Sequence, residues 1–213
     1  MITLINRLLL TTISISSLLF LPIGGCTSEY ETRSYISHYA IIDHIHVEDY
    51  IVNNSDSCLF FSFKLISYEQ VSIASKGKDK KLYNKICAMN GDTSFCGIVE
   101  KDGFFISGGG ALYPNISAIN LTSSVDFDAE HPAGTPLNDC FELEYSNYER
   151  FNDNGIVQKR TKLSDIKEIK CIATRNCSIY YSTPPTSKRY ATITLTITSD
   201  NGKVYEVNFT RMI

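Results

Sequence analysis

Between residues 191 and 210 the chain alternates with a period of two. Ile193, Leu195 and Ile197 are interleaved with Thr192, Thr194, Thr196 and Thr198. Asp200-Asn201-Gly202 follows, and Tyr205, Val207 and Phe209 return on one face. Successive side chains of a strand point to opposite faces. The pattern therefore predicts a β-hairpin with one dry and one wet face. A slip of one residue would exchange the faces, so the alternation also fixes the pairing. A sheet that is apolar on one side needs a second layer to cover it.

The rest of the chain reads as further short strands. Candidates are Tyr35 to Val47, Cys58 to Ile66, Val71 to Ala74, Gly97 to Glu100, Phe104 to Ser107, Ile116 to Thr122 and Ser178 to Ser182. In the second of these, Leu59, Phe61, Phe63 and Leu65 share a face. Asn53-Asn54-Ser55-Asp56, Asn90-Gly91-Asp92 and Lys101-Asp102-Gly103 are turn signals. Thr135 before Pro136 is an N-cap followed by proline at the first helical position, which predicts a short helix over Pro136 to Phe141. Ser164 before Asp165-Ile166-Lys167-Glu168 predicts another. The Lys76-to-Lys81 run, which contains Gly77 and Asp79, reads as a solvated loop. No long helical period and no internal repeat is evident. The expected architecture is a mainly β, antiparallel β-sandwich of immunoglobulin-like type around a single core, with one or two short helices.

The amino terminus carries an address. Arg7 precedes an apolar run from Leu8 to Ile23, and Gly24, Gly25 and Cys26 follow. The layout is that of a secretory signal, and Ile23-Gly24-Gly25-Cys26 resembles the lipobox of bacterial lipoproteins. That resemblance implies acylation of the Cys26 sulfur and cleavage before it. The run from Arg7 to Gly24 has about 16 residues, short of the ~20 that a membrane span needs. Residues 1–25 are thus expected to be a signal peptide. Residues 26–34 are the lipidated cysteine and a polar tether, and 35–213 the β-sandwich. The second mature residue is Thr27 and not aspartate, which by resemblance to the sorting rule of other Gram-negative bacteria implies the outer membrane.

Loss of 25 of the 213 residues leaves 188, the size of one domain. The formal charge is −3, and losing Arg7 makes the mature chain one unit more negative. That balance offers no footprint for nucleic acid. With Cys26 lipidated, six cysteines remain: Cys58, Cys87, Cys96, Cys140, Cys171 and Cys177. An even number in an exported chain predicts disulfides, although six thiols allow fifteen pairings. Sequence proximity favours Cys87–Cys96 and Cys171–Cys177, leaving Cys58–Cys140. Buried thiols are the plain alternative.

Signals for chemistry are sparse, and neither a cofactor nor a metal is predicted. His38, His44 and His46 would share one face of a regular strand, but at ~3.3 Å per residue His38 would lie about 20 Å from His44. The polar outer face of a sheet explains them. Asp126, Asp128 and Glu130 alternate like the start of a calcium loop. The EF-hand pattern needs glycine at its sixth position and glutamate at its twelfth, where this chain has His131 and Leu137. An acidic loop capping the expected helix is the first reading, and a looser calcium site is the second. The absence of a Cys-x-x-Cys pair argues against zinc. No Gly-x-Ser-x-Gly motif is present, and the Gly108-Gly109-Gly110 run is followed by Ala111-Leu112-Tyr113-Pro114 and not by a phosphate-binding helix.

The string from Phe127 to Asp139, with Pro132-Ala133-Gly134-Thr135 and Leu137-Asn138-Asp139 at its heart, is similar to a motif of small exported Bacteroidota lipoproteins. Pro184-Pro185-Thr186 and the closing hairpin resemble the carboxy-terminal part of the same family. The likeness covers about residues 115–213 and the lipobox. It implies a lipid anchor and no catalytic residues. The expected function is a non-enzymatic, lipid-anchored envelope protein serving as a binding or accessory module. Membrane contact would run through the anchor, and the protein or glycan partner is left open. The alternatives are a fimbrillin-like structural subunit and a carbohydrate-active hydrolase. The chain lacks tryptophan, the usual sugar-stacking residue, although it has 13 tyrosines.

Overall fold

The computed structural model describes residues 30–32, 34–48, 59–94, 97–99, 109–151, 155–183 and 188–213. The leader, Cys26, the turn at 53–56, Cys58, Cys96, the expected strand at 104–107 and Pro184-Pro185 lie outside them. The chain is mainly β and antiparallel, as the alternation predicts. In order come β1 (Tyr30–Thr32), β2 (His38–Ile41), β3 (His44–Glu48), β4 (Leu59–Ile66), β5 (Glu69–Ser72), helix α1 (Gly77–Asn90), β6 (Gly97–Val99) and β7 (Gly110–Tyr113). Then follow β8 (Ile116–Ser123), β9 (Phe141–Tyr148), β10 (Ile156–Lys162), a single 3-10 turn (Leu163–Asp165), β11 (Asn176–Tyr181), β12 (Tyr190–Ser199) and β13 (Val204–Met212).

A five-stranded sheet, β10-β9-β11-β4-β3, faces a three-stranded sheet, β13-β12-β8. Their inner faces supply the larger core. Phe61, Phe63, Leu65, Leu143 and Ile179 come from the first, and Ile119, Leu121, Ile193, Leu195 and Ile197 from the second. The hairpin has the expected register, with Leu195 opposite Val207 and Ile197 opposite Tyr205. Ile193, Leu195 and Ile197 are fully buried, and Val207 and Phe209 pack partly buried against them. Gly202 turns the chain with a φ of 83°, a conformation that favours glycine.

A second, smaller core lies apart from the first, in place of the single core expected. It gathers Tyr35, Ile36, Tyr39, Val71, Tyr83, Ile86, Cys87, Ala111 and Cys171. The sheet here is β5-β2-β7, and β2 pairs with β7 in parallel. The first strand candidate is thus two strands, β2 and β3, in different sheets, broken at Ile42 and Asp43. Three residues of the expected tether form β1, which pairs with β6.

The largest departure is α1, where Lys76 to Lys81 reads as loop. Its first turn is charged, and its N-cap, Lys76, makes no side-chain cap bond, so the start carries no signal. Leu82, Tyr83, Ile86 and Cys87 give only a short apolar face, on which Tyr83, Ile86 and Cys87 are buried. Asn90-Gly91, read as a strand turn, is the helix exit. Gly91 takes a left-handed φ of 76°, its N–H donates to the Ala88 carbonyl, and the Asp92 N–H donates to the Cys87 carbonyl. Residues 136–140 are a bridge and a turn leading into β9, not a helix, and near Ser164 only the 3-10 turn forms.

Candidate functional site

Residues 124–140 carry the chain from β8, in one sheet, to β9, in the other, across an end of the sandwich. Phe127, Leu137 and Cys140 anchor this connection in the larger core. Backbone bonds tie it down. The Gly134 N–H donates to the Ser123 carbonyl, and the Leu137 N–H to the Leu121 carbonyl, both at 2.8 Å. Asn138 adds a second tie, donating to the Ile119 carbonyl and accepting from the Leu121 N–H. Asp126 accepts the Ala133 N–H.

Within this frame Asp128 makes an Asx turn. Its Oδ1 accepts the N–H groups of Glu130 and His131, both at 2.8 Å. The same oxygen lies 2.7 Å from His131 Nδ1. His131 Nε2 lies 3.1 and 3.2 Å from the two carboxylate oxygens of Asp139. Each ring nitrogen thus faces a carboxylate, an arrangement that favours the doubly protonated ring. The hydrogen bond to Asp128 raises the His131 pKa against the opposing effect of burial, with Asp139 adding to the rise. For Asp128 burial opposes ionisation, but the bonds from His131 and the two backbone N–H groups outweigh it and hold its pKa below the ordinary value. Phe127 presents an edge-on contact to the His131 ring, with centroids 6.3 Å apart.

Cys140 completes the group. Its Sγ is buried and sits 3.8 Å from His131 Nδ1, 3.7 Å from Nε2 and 3.9 Å from Asp139 Oδ1. Burial and the carboxylates of Asp139 and Asp128 push its pKa up to about 12. The residue types are those of a Cys-His-Asp catalytic set, but the geometry is not. In-plane lone-pair directions of the two imidazole nitrogens diverge, so a sulfur equidistant from both lies along neither. A nucleophile–base hydrogen bond is not formed. Donor atoms of Asp128, His131 and Cys140 all lie within 4.8 Å of one another, and so do those of Asp139, His131 and Cys140.

The other candidates do not converge. His38 is on β2, bonded to Ser37, while His44 is on β3, bonded to Asp43, and His46 stands opposite Lys64. Cys87, Cys140, Cys171 and Cys177 are free, buried thiols. The expected Cys171–Cys177 bridge is absent because Cys171 packs in the smaller core and Cys177 in the larger. Cys87 and Cys140 are likewise unpaired here, and the partners expected for them, Cys96 and Cys58, lie outside the described residues. A cavity of about 280 Å³ is lined by Ile41, Ile42, Asp43, Tyr68, Glu69 and Lys203. It falls below the roughly 300–1,000 Å³ usual for ligand pockets. Its cation, Lys203, is spent on the Ile42 and Asp43 carbonyls.

Sequence reasoning singled out the 126–139 string but assigned its acids to helix capping and Cys140 to a disulfide. The spacing of Asp128 and His131 was the available signal. The approach of Cys140 and Asp139 depends on the turn at 137–140, which a predicted helix would have replaced. No known family model matches this chain. Comparison with curated proteins and with solved structures gave no match either.

Proposed function

We propose that the chain is a lipid-anchored protein of the cell envelope, at the outer membrane, whose β-sandwich serves as a binding or accessory module and not as an enzyme. The leader ending in Ile23-Gly24-Gly25-Cys26 supports the anchor. No helix among the described residues is long and apolar enough to cross a membrane. The observation that carries the non-catalytic reading is the double engagement of His131. Each ring nitrogen faces a carboxylate, and the Cys140 sulfur, nearly equidistant from both nitrogens, is aligned with neither. The thiol lies far above the range of activated cysteines, which reach about 3.5–7.5. The partner's chemistry is left open.

Cells expressing the full chain or its Cys26→Ser variant are grown with labelled fatty acid and fractionated. The wild type should take up label and sediment with outer membranes, while Cys26→Ser should stay unlabelled and uncleaved. Equal labelling of both would contradict the anchor. On the wild type, iodoacetamide should leave Cys140 unmodified at neutral pH without denaturant. Rapid, selective modification of Cys140 would contradict the non-catalytic reading.

A further inference from the structure

We propose that Cys140, His131 and Asp139 form a zinc site, with Asp128 holding the histidine ring from behind. The inference is independent of the anchor and of the binding role.

The donor set selects the metal. Thiolate, imidazole and carboxylate together suit zinc, whereas calcium and magnesium take oxygen ligands alone. Zinc bonds of about 2.0–2.1 Å to nitrogen and oxygen and about 2.3 Å to sulfur make tetrahedral ligand–ligand edges of roughly 3.3–3.6 Å. The separations in the cluster are close to these: 3.1 Å for Nε2 to Asp139 Oδ1, 3.7 Å for Nε2 to Cys140 Sγ and 3.9 Å for Sγ to Asp139 Oδ1.

The same comparison assigns Asp128. At 2.7 Å its Oδ1 is too near Nδ1 to admit an ion between them, and that oxygen already takes two backbone N–H groups. Asp128 is therefore a positioning residue. By keeping Nδ1 protonated it leaves Nε2 as the coordinating nitrogen and orients the ring, as carboxylates behind metal-bound histidines commonly do.

Zinc would replace the proton that Nε2 shares with Asp139. Sγ now lies off the in-plane direction of Nε2, so closure requires rotation of the Cys140 side chain and a tilt of the ring. Protons balance. One leaves the thiol as the ion binds, and one leaves Nε2 where that nitrogen is protonated. Three protein ligands leave a fourth position for water or a partner's donor, on the side where Asp139 is 62% exposed. The neighbouring carboxylates of Asp126 and Glu130 add negative charge to the same loop.

The test uses the full chain purified in detergent and stripped of metal. Zinc affinity is read by competition with a chromogenic chelator, and cobalt(II) is added as a spectroscopic probe. The wild type should bind one zinc ion and show a thiolate-to-cobalt charge-transfer band in the near ultraviolet. Cys140→Ser should abolish the band, and Asp139→Asn, at an exposed carboxylate, should weaken zinc at least tenfold. Asp128→Asn should weaken it about 10–100-fold while keeping the band, the size usual for a residue behind a ligand. Circular dichroism of each variant separates loss of the site from loss of the fold. The inference is overturned if the wild type binds no zinc, or if Cys140→Ser keeps the cobalt band. It is also overturned if Asp139→Asn binds like the wild type.

Discussion

Two clusters in this protein set a carboxylate near a buried cysteine, and they differ in what faces their carboxylates. In the 124–140 connection, Asp128 and Asp139 hold the two nitrogens of His131, and Asp139 opens to solvent. In the smaller core Asp92 is fully buried, and its hydrogen bonds among the described residues come from backbone N–H groups. Its carboxylate accepts the Tyr35 N–H at 2.6 Å and the Ile36 N–H at 2.9 Å. Burial raises the Asp92 pKa more than those two bonds lower it. Cys87 and Cys171 lie in this same core, their pKa values raised chiefly by burial, and no histidine joins them. The left-handed turn at Gly91 brings Asp92 off the end of α1 and onto the strand entering β2. Tyr83 of α1 adds a bond from its hydroxyl to the Ile36 carbonyl at 2.6 Å. This second cluster is a clamp. A carboxylate held by main-chain donors in a closed core is shut away from any ligand, whereas one beside an imidazole at the surface is within reach of one.

The clamp carries the larger energetic stake. Asp92→Ala should destabilise by about 2–6 kcal/mol, because two buried N–H donors each lose their acceptor at about 1–3 kcal/mol. Chemical denaturation measures it, and a loss under 1 kcal/mol would show that the clamp is dispensable. A reference outside both clusters is the hairpin. Leu195→Ala should cost about 2–5 kcal/mol, the range for a fully buried leucine. The half-buried Thr196→Ala should cost about 0.5 kcal/mol or less. Equal losses at the two positions would mean that a further layer covers the threonine face.

The smallest effect is the pH dependence, and it divides the carboxylates of the two clusters by sign. For His131 the folded pKa is raised above 6.5, so its contribution is fully present below that value and is lost as pH rises through the folded pKa. For Asp128 the folded pKa is below 3.8, so its contribution holds above 3.8 and is lost as pH falls through the folded value. Asp92 runs the other way in acid. With its folded pKa above 3.8, its contribution is present below 3.8 and is lost as pH rises through the raised value. Denaturation midpoints followed against pH should therefore lose their alkaline decline in His131→Gln and change in mild acid in Asp92→Asn. A profile unchanged in both variants would erase the distinction.

The parts legible in the sequence were those that a local pattern dictates. The alternation over 191–210 fixed both faces and the register of β12 and β13, and Phe61, Phe63 and Leu65 mark the inner face of β4. The helix was illegible because its charged first turn and weak apolar stripe resemble a loop, and its exit, Asn90-Gly91, resembles a hairpin turn. The division into two cores follows from that helix, since α1 supplies Tyr83, Ile86 and Cys87 to the smaller one. The 126–139 string was visibly unusual, but its role depends on where Cys140 and Asp139 fold back. That position is set by long-range ties such as the bond from the Ser182 N–H to the Cys140 carbonyl.

The central claim is that both His131 nitrogens face carboxylates, Asp128 fixing Nδ1 and Asp139 sharing Nε2 with the proposed zinc ion. Nitrogen-15 NMR of the full chain, labelled at histidine and followed against pH without metal and then with zinc, tests it. The His131 ring should titrate above its ordinary value of 6.5, and Nε2 alone should change on adding zinc. A ring that titrates below 6.5, or an Nε2 shift that zinc leaves unchanged, would contradict the account.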